Sequence, residues 1–252
     1  MSIAVVTGAS SGLGIEYVKE ILQRFSDVTE ILVIARRKER LEALSSLSDK
    51  VKITPVPLDL TKDESFEKYE AILNEKSENV KILVNNSGFG TLGDFRAEKY
   101  YTQTSMIDLN VKALTALSSI TLKYMKKGSM IINVCSIASF VPTPRMAVYC
   151  STKAFVLSFS KALHKEEKKN GITVLAVCPG PMDTEFLDVA NVTGNSKTFD
   201  MLPRVLPKIV AKKSVSAAIK GRNVYTNRFF YKFYRVLAKL LPHAWLMNFT
   251  RV

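Results

Sequence analysis

Two stretches, ILVIA at 31–35 and ITVLAV at 172–177, narrow the fold more than any other feature of the chain. A strand that is apolar at nearly every position has to be covered on both faces, which a parallel sheet between two layers of helices provides. Comparable runs recur at 3–7, 51–57, 80–84, 130–135 and 223–226, and helical stretches separate them. This alternation predicts an α/β, doubly wound parallel sheet of about seven strands flanked by helices. At 252 residues, without an internal repeat or a linker, one domain is expected.

The first run leads straight into TGASSGLG, with Gly8, Gly12 and Gly14 ahead of the helical pattern IEYVKEIL. Glycines allow a sharp turn and close approach to a pyrophosphate, and the free N–H groups of the following helix offer it partial positive charge. Ser10, Ser11 and Leu13 complete the turn. A glycine cluster alone could be only a tight turn; after the first strand of a βαβ unit it signals a Rossmann-type dinucleotide site. At the end of the second strand an acidic residue would accept a ribose 2′-hydroxyl, whereas arginine pairs with a 2′-phosphate. The chain has IARRKER there, with Arg36 22 residues after Gly14 and Arg37 next to it, so NADP(H) is expected over NAD(H).

Tyr149 and Lys153 stand four apart in VYCSTK, in a helical stretch, so their side chains share a face. A cation beside a phenol stabilises the phenolate and should lower a pKa of about 10 toward neutrality. Taken singly, the nearby polar residues have plain structural readings: Asn110 could cap or kink a helix, Ser136 could cap a strand end, and Thr184 could begin a helix.

Taken in order, these residues resemble the short-chain dehydrogenase/reductase family in its single-domain form, over almost the whole chain. TGASSGLG matches the family's TGxxxGxG turn. Asp59 and Leu60 in PLDLT match the acidic segment near the adenine. NNSG at 85–88, with Asn86 and Gly88, matches NNAG with Ser87 in place of alanine. Asn110, Ser136, Tyr149 and Lys153 fall in the order of the family's tetrad. PGPMDT at 179–184 resembles the loop after the sixth strand, with Pro179, Gly180 and Thr184 toward the cofactor. The resemblance implies that Tyr149 is the proton donor, that Ser136 binds the substrate oxygen, and that Lys153 also holds the nicotinamide ribose. It further implies that Asn110 holds a water linking Lys153 to solvent, and that Thr184 contacts the nicotinamide carboxamide. Residues 1–228 would then form the Rossmann-type cofactor-binding and catalytic domain, with 229–252 as its basic, amphipathic C-terminal extension.

The expected substrate is a hydrophobic carbonyl compound or the corresponding alcohol, since Phe89, Phe140, Val141, Met146, Met182, Phe186, Leu187, Phe199, Met201 and Leu202 could line a greasy cleft. Cys135, Cys150 and Cys178 lack CxxC spacing, so no disulfide framework or metal site is expected, and His164 and His243 have no partners at metal or relay spacing. MSIAVVTG leaves no room for a signal peptide, which with the free cysteines favours a reducing, cytoplasmic setting.

The formal charge of +13 is concentrated late: residues 201–252 hold eleven Lys and Arg and no Asp or Glu. In 229–249, Phe230, Phe233, Tyr234, Leu237, Leu240 and Leu241 follow helical spacing, interspersed with Lys232, Arg235 and Lys239. Such a helix could lie on an anionic membrane, cover the substrate cleft or pack against a second subunit of a homo-oligomer; burial within its own domain is the plainer alternative. Nucleic acid is not expected as a partner, because no stacking module accompanies the charge. A non-catalytic NADP(H)-binding regulator or scaffold using this tail is the competing functional class.

Overall fold

The computed structural model describes residues 2–76, 79–192 and 196–248, and only the backbone at 197 and 198. In chain order the first half runs β1 (Ser2–Thr7), α1 (Gly12–Arg24), β2 (Val28–Ala35), α2 (Lys38–Glu42), β3 (Lys52–Pro57), α3 (Glu64–Lys76) and β4 (Asn79–Asn85). The second half continues with α4 (Tyr100–Ile107), α5 (Leu114–Leu122), β5 (Met130–Val134), α6 (Ala147–Glu167), β6 (Thr173–Cys178), α7 (Glu185–Ala190), α8 (Lys197–Asp200), α9 (Pro207–Ile219), β7 (Val224–Thr226), α10 (Phe229–Leu240) and α11 (His243–Leu246).

The seven strands form one sheet in the order β3-β2-β1-β4-β5-β6-β7, and every neighbouring pair is parallel. Each apolar run read from the sequence is one of these strands; the second begins at Val28 rather than at 31. Ile31, Leu32, Val33 and Ile34 are all fully buried, as coverage of both faces requires.

One layer of cover is α1 with α9, joined by a 2.8 Å hydrogen bond between the Tyr17 and Ser214 hydroxyls. The other includes α3 and α5, joined by the 2.7 Å pair Tyr69–Thr121. Both phenols are completely buried, and burial raises their pKa values, so they stay neutral and hydrogen-bonded inside the core. After β3 the chain crosses back past β1 to lay down β4. The strand order therefore reverses between β1 and β4, and a crevice opens there at the carboxyl ends of the strands, where ligands bind in such sheets.

The C-terminal helix departs from the sequence reading. Tyr234 and Leu241 of the expected apolar stripe pack inward, together with Tyr231 and Ala238, whereas Phe230, Phe233 and Leu240 face outward. The roll of α10 is set by Tyr231, whose hydroxyl donates to the Pro203 carbonyl at 2.7 Å and whose ring fills the space left by the missing side chain of Gly180.

Candidate active site

The glycine turn between β1 and α1 depends on backbone that a side chain would block. Gly8 has a φ of +64°, and a Cβ on Gly14 would stand 2.2 Å from the Gly8 carbonyl oxygen. Ser11 caps α1 in extended conformation, Leu13 points into the core, and no acidic residue occupies the first turn of the helix. The first-turn N–H groups thus have no carboxylate competing for them, and the bare backbone fits a pyrophosphate. Gly14→Ala is expected to cost about 3 kcal/mol, which lowers Tm by roughly 6–12 °C in a chain of this size. Thermal unfolding checks this, and a variant melting with the parent would refute the tight-turn account.

Other loops close on this turn. Thr7 accepts from the backbone N–H groups of Asn86 and Ser87, each at 2.9 Å, and Asn86 Nδ2 donates to the carbonyls of Thr7 at 3.0 Å and Gly8 at 3.2 Å. From the far side the Thr184 methyl approaches Gly12 closely enough that a Cβ there would meet it at 3.1 Å. Thr184 caps α7, as its structural reading allowed. Pro179 accepts from the Ile137 N–H at 3.0 Å, and Gly180 donates to Asn227 Oδ1 at 3.1 Å.

At the end of β2 the two arginines have different surroundings. Arg37 donates to Ser10 at 3.1 Å and to Glu185 at 2.7 Å, and Arg40 also reaches Glu185. These guanidinium bonds pull the Glu185 carboxyl down to about 2, so it is ionised at any ordinary pH. Arg36 is exposed and its charge acts on Asp59. Burial would raise the Asp59 pKa, but bonds from the Thr61 N–H and hydroxyl, with the charges of Arg36 and Lys62, outweigh it and leave it lowered. Leu60 beside it is buried.

Asn110, Ser136, Tyr149 and Lys153 converge beyond β4 and β5. The helical stretch 100–122 is interrupted by a π-turn at Asp108–Ala113 that carries Asn110. Such turns are frequent at functional sites because they re-aim one side chain. The Asn110 amide donates to the Phe89 carbonyl at 2.8 Å and to Thr152 at 3.0 Å, and its oxygen accepts from the Phe89 N–H at 3.1 Å. It therefore stitches the loop after β4 to α6. Gly88 sits where a Cβ would meet Asn110 Oδ1 at 2.8 Å and Lys153 Nζ at 3.3 Å, which brings amide and ammonium to one spot.

Ser136 caps the short turn after β5, its oxygen accepting from the Ala138 N–H at 3.1 Å. The capping reading holds, and it serves the site, because it fixes the hydroxyl and leaves its proton free to donate. Ser136 makes a side-chain hydrogen bond to the Tyr149 phenol that favours the phenolate. Burial is stronger and the phenol's pKa is raised. The expected lowering by Lys153 is not met in this arrangement. Its ammonium lies 5.8 Å from the Tyr149 ring centroid and donates to the Val134 carbonyl at 3.0 Å, and burial lowers its own pKa.

Two contributors, Gly90 and Thr152, were not singled out in the sequence. Gly90 faces the Tyr149 ring so closely that a Cβ would stand 2.6 Å from it, and Thr152 takes its bond from Asn110 while donating to the Tyr149 carbonyl at 2.8 Å. Only the GFG spacing at 88–90 hinted at the first. Of the expected cleft residues, Phe89, Met146, Phe186, Leu187 and Phe199 cluster around Tyr149, and the Phe186 ring lies 5.7 Å from its ring. Phe140 and Val141 instead join the core beneath α10, Met182 and Leu202 pack on the main core, and Met201 is exposed. A small cleft of about 20 Å³ lies beside Tyr149, lined by Phe95, Met106, Met146 and Val148 along with Gln103 and Arg145. The three cysteines are buried and unpaired, and no metal-binding cluster occurs among the described residues.

A short-chain dehydrogenase from Sphingobium yanoikuyae in complex with NADPH has this fold, with a TM-score of 0.82, 26% identity, and coverage of 98% of this chain and 96% of that one. The bulky-bulky ketone specific alcohol dehydrogenase from Comamonas testosteroni follows at 0.78 and 27%, covering 98% and 94%. The very-long-chain 3-oxoacyl-CoA reductase of Bos taurus is 28% identical over 225 residues, 84% of this chain and 69% of that protein. The family model described as short chain dehydrogenase matches residues 2–193, and with the glycine turn, the parallel sheet and the Asn110–Ser136–Tyr149–Lys153 cluster in place, the chain belongs to the short-chain dehydrogenase/reductase family of oxidoreductases.

Proposed function

We propose that this oxidoreductase reduces a hydrophobic ketone, steroid-like or 3-oxoacyl in class, at the expense of NADPH, with Tyr149 as the proton donor. The observation that carries the reading is the Ser136–Tyr149 hydrogen bond set in an apolar cluster beside the switch point of the sheet. A bound nicotinamide supplies the hydride, and the glycine turn, Asn86, Lys153 and Thr184 are the residues that would hold it.

Reduction puts negative charge on the carbonyl oxygen and then needs a proton there. Tyr149, kept protonated by burial, has that proton to give at neutral pH. The Ser136 hydroxyl, fixed by Ala138, can donate to the same oxygen without reorganising as charge develops. Lys153 favours the phenolate left behind, and Asn110 holds the loop and helix that position both. Alcohol oxidation would run the same steps in reverse, beginning from the Tyr149 phenolate. The apolar lining supports a greasy substrate, in keeping with the ketone and 3-oxoacyl-CoA chemistry named for the Comamonas and bovine relatives. We take residues 229–252 as an extension of the same domain, anchored by Tyr231 and Tyr234.

Preference for NADPH rests on Arg36 and Arg37, and the NADPH bound to the Sphingobium relative is in line with it. Arg36→Asp is expected to weaken NADPH binding by about 2 kcal/mol, roughly 30-fold in Kd, through lost charge-assisted contacts and new repulsion. NADH binding should fall much less. Titration of both cofactors checks this, and equal affinities in the parent protein would overturn the assignment. The function itself is tested by NADPH oxidation against a panel of aliphatic, steroidal and acyl-thioester ketones. Tight NADPH binding with no turnover on any of them would favour the regulator instead.

A further inference from the structure

Helix α10 has two apolar sides, and the domain uses only one of them. At 100° per residue Tyr231, Tyr234, Ala238 and Leu241 share a face, and all four pack inward. Phe229, Phe233, Val236 and Leu240 share the opposite face and are 84, 53, 51 and 74% exposed, and Phe230, 52% exposed, lies between the two faces. Isolated apolar residues on a surface are ordinary, but four in one helical stripe are not. Lys232 and Lys239 lie along one flank of the stripe, on the same side of the helix as Arg228 and Arg235. Trp245, 52% exposed, follows on α11.

We infer that α10 docks this protein on the surface of an anionic membrane, with Phe229, Phe230, Phe233, Val236 and Leu240 at the boundary between headgroups and acyl chains and with Lys232 and Lys239 against lipid phosphates. The helix cannot span: its 12 residues reach about 18 Å against a hydrocarbon core of about 30 Å, and no helix among the described residues is long and apolar enough to cross. An apolar stripe flanked by lysines is the arrangement of a helix lying in the interface plane, where lysine stems follow the apolar surface and the ammonium groups reach phosphate.

Charge selects lipid over a second copy of the chain. Residues 201–252 hold eleven Lys and Arg and no Asp or Glu. In a two-fold contact the same patch meets itself, so Lys232 and Lys239 would be set against their own copies with no acid from this segment to relieve them. A phosphate-rich surface provides the opposite sign. The helix is also well placed for such a role. Its inner face packs on Gly180 and Phe140, in the loops that carry Thr184 and Ser136, so a docked helix stays joined to the loops of the proposed site. The docking itself stands whether or not the substrate class proposed above is correct.

The test is flotation of the full chain with vesicles of phosphatidylcholine alone, or with about one third phosphatidylglycerol, at roughly 20 mM and 500 mM salt. The inference expects binding to anionic vesicles at low salt that is at least about tenfold stronger than to neutral ones and is weakened at high salt. The emission of Trp245, the single tryptophan, should shift to the blue on binding. The variant Phe229→Ser/Phe233→Ser/Leu240→Ser alters exposed positions only, and should lose at least about tenfold of the vesicle affinity while keeping its turnover of a water-soluble ketone. No binding, equal binding to both vesicle types, or parental binding by the variant overturns the inference. So does a parent oligomer that falls apart in the variant without any vesicle binding by the parent, which would make the stripe a contact between copies. Failure of the ketone panel alone would sink the substrate reading and leave the docking result standing.

Discussion

Tyr149→Phe is expected to lower kcat for ketone reduction by about 10³ while leaving NADPH affinity within about twofold. Phenylalanine keeps the ring, so its packing against Gly90 and Phe186 survives and only the hydroxyl is lost. The deleted group is the proposed proton donor, and a positioned donor contributes about 10²–10⁴ to rate. Stability should change by only about 1 kcal/mol, because the lost Ser136 bond is offset by removing a hydroxyl that burial penalises. Steady-state kinetics, cofactor titration and thermal unfolding on one preparation separate these effects. In the parent, the reduction rate should be level across neutral pH and fall only under alkaline conditions, since burial raises the phenol's pKa and delays loss of the proton. A Phe variant with parental turnover would end the case for Tyr149 as donor.

Lys153→Met is expected to damage both turnover and cofactor binding, with kcat down by about 10² or more, while the fold persists. The lysine is buried with its ammonium on the Val134 carbonyl, and burial lowers its pKa. A Lys pKa below its unfolded value means that the folded state bears a cost for holding the charge at every pH where the ammonium persists. That cost fades only as pH rises through the folded value toward the unfolded one. Methionine removes the charge and keeps most of the volume, so relief of desolvation opposes the loss of one hydrogen bond of about 1 kcal/mol, and Tm should stay within a few degrees. A structural lysine would show the reverse pattern, with stability lost and turnover of the folded fraction retained.

Much of this molecule was legible in its sequence, for reasons that are local. Runs such as 31–34 and 173–178 are apolar at nearly every position because both faces of those strands are covered, so the sheet could be read before any contact was known. The glycine turn was legible because backbone demands constrain residue type directly: no side chain fits where Gly14 meets the Gly8 carbonyl. Tyr149 and Lys153 could be placed on one face by helical period alone.

What remained hidden depended on partners distant in the chain. Hydrophobic spacing says that a residue seeks cover without saying what covers it. Phe140 and Val141 thus looked like cleft residues, and the expected stripe of α10 ran together Tyr234 and Leu241, which pack inward, with Phe230, Phe233 and Leu240, which face out. Glu185 carried no signal, because its meaning lies in Arg37, 148 residues earlier, and in Arg40. The balance at Tyr149 was hidden for the same reason. From spacing, the cation four residues on should have dominated, yet the depth to which the folded chain buries the phenol outweighs it. By itself the sequence determined the strands, the glycine turn and the order of the tetrad, since period and backbone geometry act between near neighbours. Tertiary structure alone decided the strand order, the protonation of the site and the side of α10 left facing out, because burial and charge pairing are set by groups that only folding brings together.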